Sequence, residues 1–396
     1  MKYLYKCFNC KTEFSSEVVE HEFHYLCPKC GKAENNKPLE GVLEVVFDYN
    51  EVKKKLLRED FLKLATGKFW LYPELLPLKS KDISVEKLHR LTLPEDMLLR
   101  YDIDGKEVFV MDETRNPTLS YKDRASSLVV LKAIELGIAE IAAASTGNAG
   151  SSLAGICARL GLTARIYVPK NIPDAKRIQI EAYGAKLVVI DGDYDLAFDV
   201  CLEESKKNNW YNRNTAYNPL TIEGKKSAGY DIFILTKGNI PDNIFVPVGD
   251  GVIISGVYKG FKELLILGWI EKLPKLIAVQ SSGSDALVRY LETGKFEYRP
   301  AHTIADSISA GAPRNLYMAA DAVKESKGFA MAVTDEEILP AQKEFIKQTG
   351  ILCEPSSASV YAAYKKLTAK DKINSSEKNL LLITGNGLKD VEALRK

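Results

Sequence analysis

The sequence lacks any apolar run of the roughly 20 residues that a membrane-spanning helix needs. Its first residues, Met1-Lys2-Tyr3-Leu4-Tyr5-Lys6, lack the apolar core of a secretory leader. Net charge is nearly absent as well, with 54 Lys and Arg against 53 Asp and Glu. That balance removes the electrostatic case for nucleic acid or an anionic membrane as partner. No internal repeat or low-complexity stretch interrupts the 396 residues, which suffice for two or three domains with substantial cores. What remains is a soluble cytoplasmic enzyme with a small-molecule substrate, and a homodimer is compatible with it.

Cysteine is sparse, 7 in all, and its distribution is uneven. Cys7-Phe8-Asn9-Cys10 and Cys27-Pro28-Lys29-Cys30, the second closed by Gly31, are paired C-x-x-C knuckles. Two such turns can each present two thiolates to one tetrahedral ion, zinc above all, and a reducing compartment makes disulfides the poorer explanation. Phe14, Phe23 and Tyr25 alternate with polar residues as in short hairpins, so residues 1–45 read as a zinc ribbon. His21 and His24 lie between the knuckles, but four thiolates already fill a structural site. Acids (Glu13, Glu17, Glu20, Glu22, Glu34, Glu40, Glu44) slightly outnumber lysines there, so the ribbon reads as structural rather than as a phosphate-binding surface. Cys157, Cys201 and Cys353 sit in apolar contexts and read as core thiols.

Residues 46–104 read as linker and extension, including a charged helix-like stretch at 51–66. From about residue 105, short β-branched or apolar runs alternate with amphipathic helices. The runs at 108–111, 141–144, 164–168, 187–190, 243–248, 276–279 and 380–383 read as buried, mostly parallel strands. Such alternation is the signature of an α/β fold with open sheets, whose ligand sits in the crevice beyond the C-terminal strand ends.

Lys122 is the most informative residue. Turn formers (Asn116-Pro117-Thr118) fix the backbone ahead of it, and an apolar pattern of helical spacing follows at Ala125, Leu128, Val129 and Leu131. A lysine at the start of a buried helix is desolvated and opposed by the positive end of the dipole; both effects make its amine nucleophilic. Two further segments end buried strands in polar, Gly-containing turns: Ser145-Thr146-Gly147-Asn148 and Thr384-Gly385-Asn386-Gly387. The first leaves backbone N–H groups and polar side chains facing whatever lies beyond the strand end.

Over about residues 70–396 the chain resembles the threonine synthase branch of the fold-type II pyridoxal-phosphate enzymes. The stretches that carry the likeness are Pro117-Thr118 with Ser120-Tyr121-Lys122-Asp123-Arg124, Ser145-Thr146-Gly147-Asn148, Asn218-Pro219 with Glu223-Gly224-Lys225-Lys226, Pro247-Val248-Gly249-Asp250-Gly251, Glu354-Pro355-Ser356-Ser357-Ala358, and Ile383-Thr384-Gly385. The resemblance implies two open α/β domains of the tryptophan synthase β-like kind: a smaller mobile one over 140–225, and a larger one built from 105–139 and 226–396. It also implies a lyase whose Lys122 carries pyridoxal 5'-phosphate covalently and later moves protons at the substrate's carbons. Asn148 would meet the cofactor's phenolic oxygen, Thr384 its pyridine nitrogen, and Ser145, Thr146 and Gly147 the substrate carboxylate. The cofactor phosphate would rest on Gly249, Asp250, Gly251, Val252 and Ile253, ahead of a helix opened by Ser255-Gly256.

Two departures from the family pattern stand out. The phosphate loop usually carries Asn and small residues, whereas Asp250 brings a carboxylate that must turn away or be paired. The arginine that usually follows Asn-Pro by two residues and contacts the substrate's phosphate is replaced by Thr221, with Thr215 and Ala216 in the preceding loop. Arg115 is the first substitute, being seven residues before Lys122; Arg213 and Lys225 are others. The implied reaction converts O-phospho-L-homoserine and water into L-threonine and phosphate. A serine or threonine dehydratase or ammonia-lyase, a β-replacement enzyme such as cysteate synthase, and a catalytically silent binding protein are the alternatives.

Overall fold

The computed structural model describes residues 2–79, 83–145, 147–170, 172–192, 194–374 and 376–395. Its described strands, in chain order, are β1 (Tyr3–Cys7), β2 (Glu13–Ser15), β3 (Leu43–Phe47), β4 (Leu98–Ile103), β5 (Lys106–Asp112), β6 (Glu140–Ala144), β7 (Thr163–Pro169), β8 (Lys186–Ile190), β9 (Tyr211–Asn212), β10 (Asn243–Pro247), β11 (Lys275–Ser281), β12 (Phe329–Val333) and β13 (Asn379–Ile383). They form three sheets, ordered β2-β1-β3, β12-β11-β10-β13-β5-β4 and β8-β7-β6-β9. The first is antiparallel. The other two are parallel apart from β4, which runs antiparallel to β5 at one edge.

Every residue of β10 and β13 is buried, as expected of parallel strands covered on both faces, and this is why they read as unbroken apolar runs. The helix Leu220–Leu235 is buried from Leu220 to Ile234 and therefore has no polar face. It packs against the helices Lys122–Glu135 and Val252–Leu267. Gly224 makes the first of these crossings feasible, since a Cβ there would run into Arg124 O and lie 2.7 Å from Ala125 Cα. A buried quartet joins the second: Lys226 pairs with Glu223 at 2.8 Å and Glu263 at 2.9 Å, and Lys259 with the same carboxylates at 3.2 and 3.3 Å.

The N-terminal sheet shares the core of the rest. Tyr3, Tyr5, Leu43, Val45 and Phe47 belong to one apolar cluster with Leu128, Val129, Ile141 and Tyr230. Lys132 Nζ donates to Tyr3 Oη at 2.9 Å and pairs with Glu20 at 3.2 Å, while Lys259 Nζ donates to Val45 O at 2.5 Å. The expected hairpin is present as β1–β2, but Ser16–His21 is a short helix, capped by Ser15 accepting from Val18 N at 3.3 Å.

Candidate active site

A cavity of about 510 Å³ lies where the β6 and β10 ends and the turns around Lys122 and Thr384 meet. Lys122 is the first residue of its helix, and both of its neighbours are tethered. The carboxylate of Asp123 accepts from Thr118 N at 2.7 Å, from the Thr118 hydroxyl, and from Ser152 Oγ at 2.7 Å. Arg124 is fully buried between Glu113 and Asp231, with N–O distances of 2.7 Å to each. Tyr121 Oη donates to Lys225 O at 2.7 Å. The backbone that aims Lys122 is therefore held from three directions. Enclosure by protein pushes the Lys122 ammonium below its ordinary pKa; Glu354 opposes that shift and Arg213 adds to it.

On the facing wall, Ser145 Oγ accepts from Gly147 N at 3.0 Å and Gly150 N at 2.9 Å, closing the turn and leaving its own proton free to donate. Gly147 lets Lys176 lie close over the turn, since a Cβ there would lie 2.5 Å from Lys176 Cδ and displace that side chain. Thr146 lies outside the described residues. Asn148 Nδ2 donates to both Glu354 oxygens and to Ser307 Oγ, each at 3.0 Å. Its Oδ1 is buried without a partner among the described residues, so a phenolic or hydroxyl group in the cavity would satisfy it.

The helix expected to open at Ser255 begins instead at Val252, behind Gly251 in the left-handed region (φ 87°). Its first intrahelical bond runs from Ser255 N to Gly251 O at 3.2 Å, so the N–H groups of Val252, Ile253 and Ile254 remain available to an anion. Gly249 brings that loop close to Ile308, whose Cα a Cβ would approach to 2.8 Å. Asp250 is held by Arg314 N, which donates to its Oδ1 at 3.2 Å, and burial raises its pKa. Thr384 follows β13, with its hydroxyl 3.3 Å from Ser357 Oγ. All these groups border one cavity and fit an aromatic aldehyde bearing a phosphate: an amine, an anion cradle, and polar partners for a ring.

Arg115 is not brought to it. The short 3₁₀ turn Glu113–Arg115 directs the side chain, 40% exposed, toward Asp112 at 2.9 Å and Asp96 at 3.2 Å. Proximity in sequence to Lys122 does not become proximity in space. Lys225 and Lys176 do line the cavity, and the Lys176 ammonium is paired with Asp306. Lys176, Tyr194, Asp306, Ser307 and residues 308–312 are cavity walls that the sequence reading did not name. The segment 300–312 has no periodicity to mark it, and Lys176 sits in an ordinary polar helix.

The N-terminal cysteines form a second cluster. Sγ atoms of Cys7, Cys10, Cys27 and Cys30 lie within 4.8 Å of one another, Cys7–Cys30 at 3.4 Å and Cys10–Cys27 at 3.6 Å. Four thiolates about 2.3 Å from a tetrahedral zinc would stand roughly 3.8 Å apart.

Comparison with known proteins places this geometry. The family described as "Pyridoxal-phosphate dependent enzyme" matches residues 96–385. A threonine synthase of Methanocaldococcus jannaschii is 37% identical over 98% of this chain and 94% of its own length. One of Methanosarcina acetivorans is 34% identical over 99% of this chain and 93% of its own. Among solved structures, a threonine deaminase of T.th. superposes with a TM-score of 0.64 at 22% identity, over 77% of this chain and 98% of that one. Maize serine racemase gives 0.64 at 23%, over 78% and 91%. These two show the shared fold.

Proposed function

The chain belongs to the pyridoxal-phosphate-dependent enzymes and, among them, to the threonine synthase family, and on that basis we propose how its cavity performs a lyase reaction on an amino acid. The reaction is O-phospho-L-homoserine plus water giving L-threonine plus phosphate. The observation that carries it is the likeness to threonine synthases along nearly the whole chain. The cavity supports it by collecting the lysine, the anion cradle and the ring partners in one place.

Bound there, pyridoxal phosphate supplies an electron sink for charge developing at the substrate's α-carbon. Lys122 would hold the cofactor, and its amine is placed to carry protons between substrate carbons. Its lowered pKa keeps a fraction of the amine in the basic form this needs. The Ser145 hydroxyl, beside Gly147, would receive the carboxylate and so set which α-substituent faces Lys122. Asn148 orients the ring from its phenolic side. Thr384, a hydroxyl rather than a carboxylate, would not keep a ring nitrogen protonated, and a milder electron sink of that kind would suit elimination and replacement. The first-turn N–H groups of Val252, Ile253 and Ile254 receive the cofactor phosphate. We assign Cys7, Cys10, Cys27 and Cys30 one structural zinc, since four thiolates leave no open position for chemistry. The enzyme is read as cytoplasmic, in keeping with these thiols being reduced.

The test is incubation with phosphohomoserine, phosphoserine, threonine and serine, assaying phosphate and keto acid separately. Equimolar phosphate and threonine from phosphohomoserine are expected. No phosphate, with keto acid from threonine or serine, would instead make the chain a dehydratase on the same cofactor.

A further inference from the structure

A substrate that carries a phosphate needs a cation to receive it, and position 221 supplies none. Thr221 is fully buried, and its hydroxyl is used locally: it donates to Asn218 O at 2.7 Å and accepts from Ala216 N at 3.3 Å. One helical turn further along Leu220–Leu235, on the same face, stands Lys225. Lys225 is 1% exposed and lines the cavity, and its ammonium has no hydrogen-bond acceptor among the described residues. A buried ammonium without an acceptor is costly unless something else answers it. The groups around it sharpen the imbalance. Burial lowers the Lys225 pKa well below its ordinary value, Arg213 and Lys122 add to that shift as like charges, and Asp250 opposes it, so the amine holds its proton at a cost that a bound anion would offset. Arg213 donates through Nη1 to Thr215 Oγ1 at 2.9 Å, while its Nη2 is buried with no partner among the described residues.

We propose that Lys225 is the ligand of the substrate's phosphate, doing from position 225 what a guanidinium would do from position 221, with Arg213 supplying further positive charge from behind. The inference rests on the threonine synthase reading. A second phosphate monoester, that of the cofactor, is within reach of the same residue, because the Lys225 stem packs on Gly256: a Cβ there would lie 2.6 Å from Lys225 Cβ. The cofactor's phosphate already has the N–H groups at the start of Val252–Leu267. The phosphate that lacks a receptor is the substrate's.

Two measurements on Lys225→Gln separate the sources. The first is the KM for phosphohomoserine in the holoenzyme. The second is the affinity of the apoprotein for pyridoxal phosphate and for pyridoxal, which lacks the phosphate. The expected result is a KM raised about tenfold or more, as befits loss of a charge-assisted bond, with pyridoxal phosphate affinity changed less than about twofold. Lys225→Arg should recover most of the loss. A fall in pyridoxal phosphate affinity with none for pyridoxal would assign Lys225 to the cofactor and overturn the proposal, as would an unchanged KM. Wild-type protein that releases no phosphate at all would overturn the threonine synthase reading and the proposal together, a result distinct from an active wild type with an indifferent variant. Should Lys225→Gln fail to fold, acetylation of Lys225 in wild-type holoenzyme, mapped by mass spectrometry, decides the matter. 2-Amino-5-phosphonopentanoate, the isosteric phosphonate, is expected to slow it several-fold, and absence of protection would refute the assignment.

Discussion

Lys389 shows how far burial can move a single group. It reaches back from the short turn Gly387–Lys389 to donate to Ser151 Oγ at 2.8 Å and Gln179 Oε1 at 2.7 Å. Burial brings its pKa down from 10.5 to about 8; Asp123 and Glu354 resist the shift, and Lys176 and Lys122 reinforce it. Between pH 8 and 10.5 the unfolded chain holds a proton that the folded one has released, so this residue makes stability rise with pH across that window. The rise amounts to roughly 3 kcal/mol for a shift of this size. Urea unfolding of Lys389→Met at a series of pH values should therefore give a flatter curve than wild type over that window; parallel curves would contradict it. At this scale the sequence was legible where a residue's role depends on its own segment. Ser145 and Asn148 lie at a strand-to-helix turn and Lys122 opens a helix behind Asn116-Pro117-Thr118, so their position at the cavity could be read from local turn chemistry. Arg115 was misplaced because nothing local reveals that a 3₁₀ turn points it at Asp96 and Asp112. Lys176 was missed because it is tied at the cavity wall by Asp306, 130 residues away in the chain.

Among the elements, the interior strands of the two larger sheets and the edge strand β8 could be read from their composition, whereas the edge strands β4, β9 and β12 could not. β10 and β13 are apolar throughout because both faces are covered. β4 and β12 lie at the two ends of the six-stranded sheet, and from Leu99 to Ile103 the β4 residues alternate between more and less buried, as a strand with one solvated face does. The helix start at 252 was read three residues late because Val252 and Ile253 read as part of the loop ahead of it; the left-handed Gly251 is where the loop ends and the helix begins. Contact between the helices Lys122–Glu135 and Leu220–Leu235 makes two further results expected. Gly224→Ala should destabilise the protein by about 1–3 kcal/mol, because backbone rather than a flexible side chain occupies the space a Cβ needs. Arg124→Met should cost about 3–5 kcal/mol, since it strands Glu113 and Asp231 as buried unpaired carboxylates. Both can be read from denaturant unfolding with the midpoint and slope reported together, and a change below about 0.5 kcal/mol in either would contradict the packing described.

For the molecule as a whole, the N-terminal sheet is part of the enzyme's core. Tyr3, Tyr5, Val45 and Phe47 share one buried apolar cluster with Leu128 and Val129 of the helix that begins with Lys122, and Lys132 of that helix donates to Tyr3 Oη at 2.9 Å; no sequence pattern announces that such distant segments share a core. Metal loss should consequently be felt beyond the cysteines. A chelator, or Cys27→Ser, should remove one zinc per chain and lower the melting temperature of the entire protein by several degrees. Cofactor absorbance should persist until unfolding begins. Activity that vanishes at once on chelation, with structure intact, would point to a catalytic metal instead. The central claim is that chemistry takes place at Lys122. Reduction of the holoenzyme with borohydride, followed by peptide mapping, tests that directly. One modified peptide is expected, containing Lys122, and no trapped label in Lys122→Ala that still folds. A label on Lys225, Lys176 or any other lysine, or trapping that survives Lys122→Ala, would contradict it.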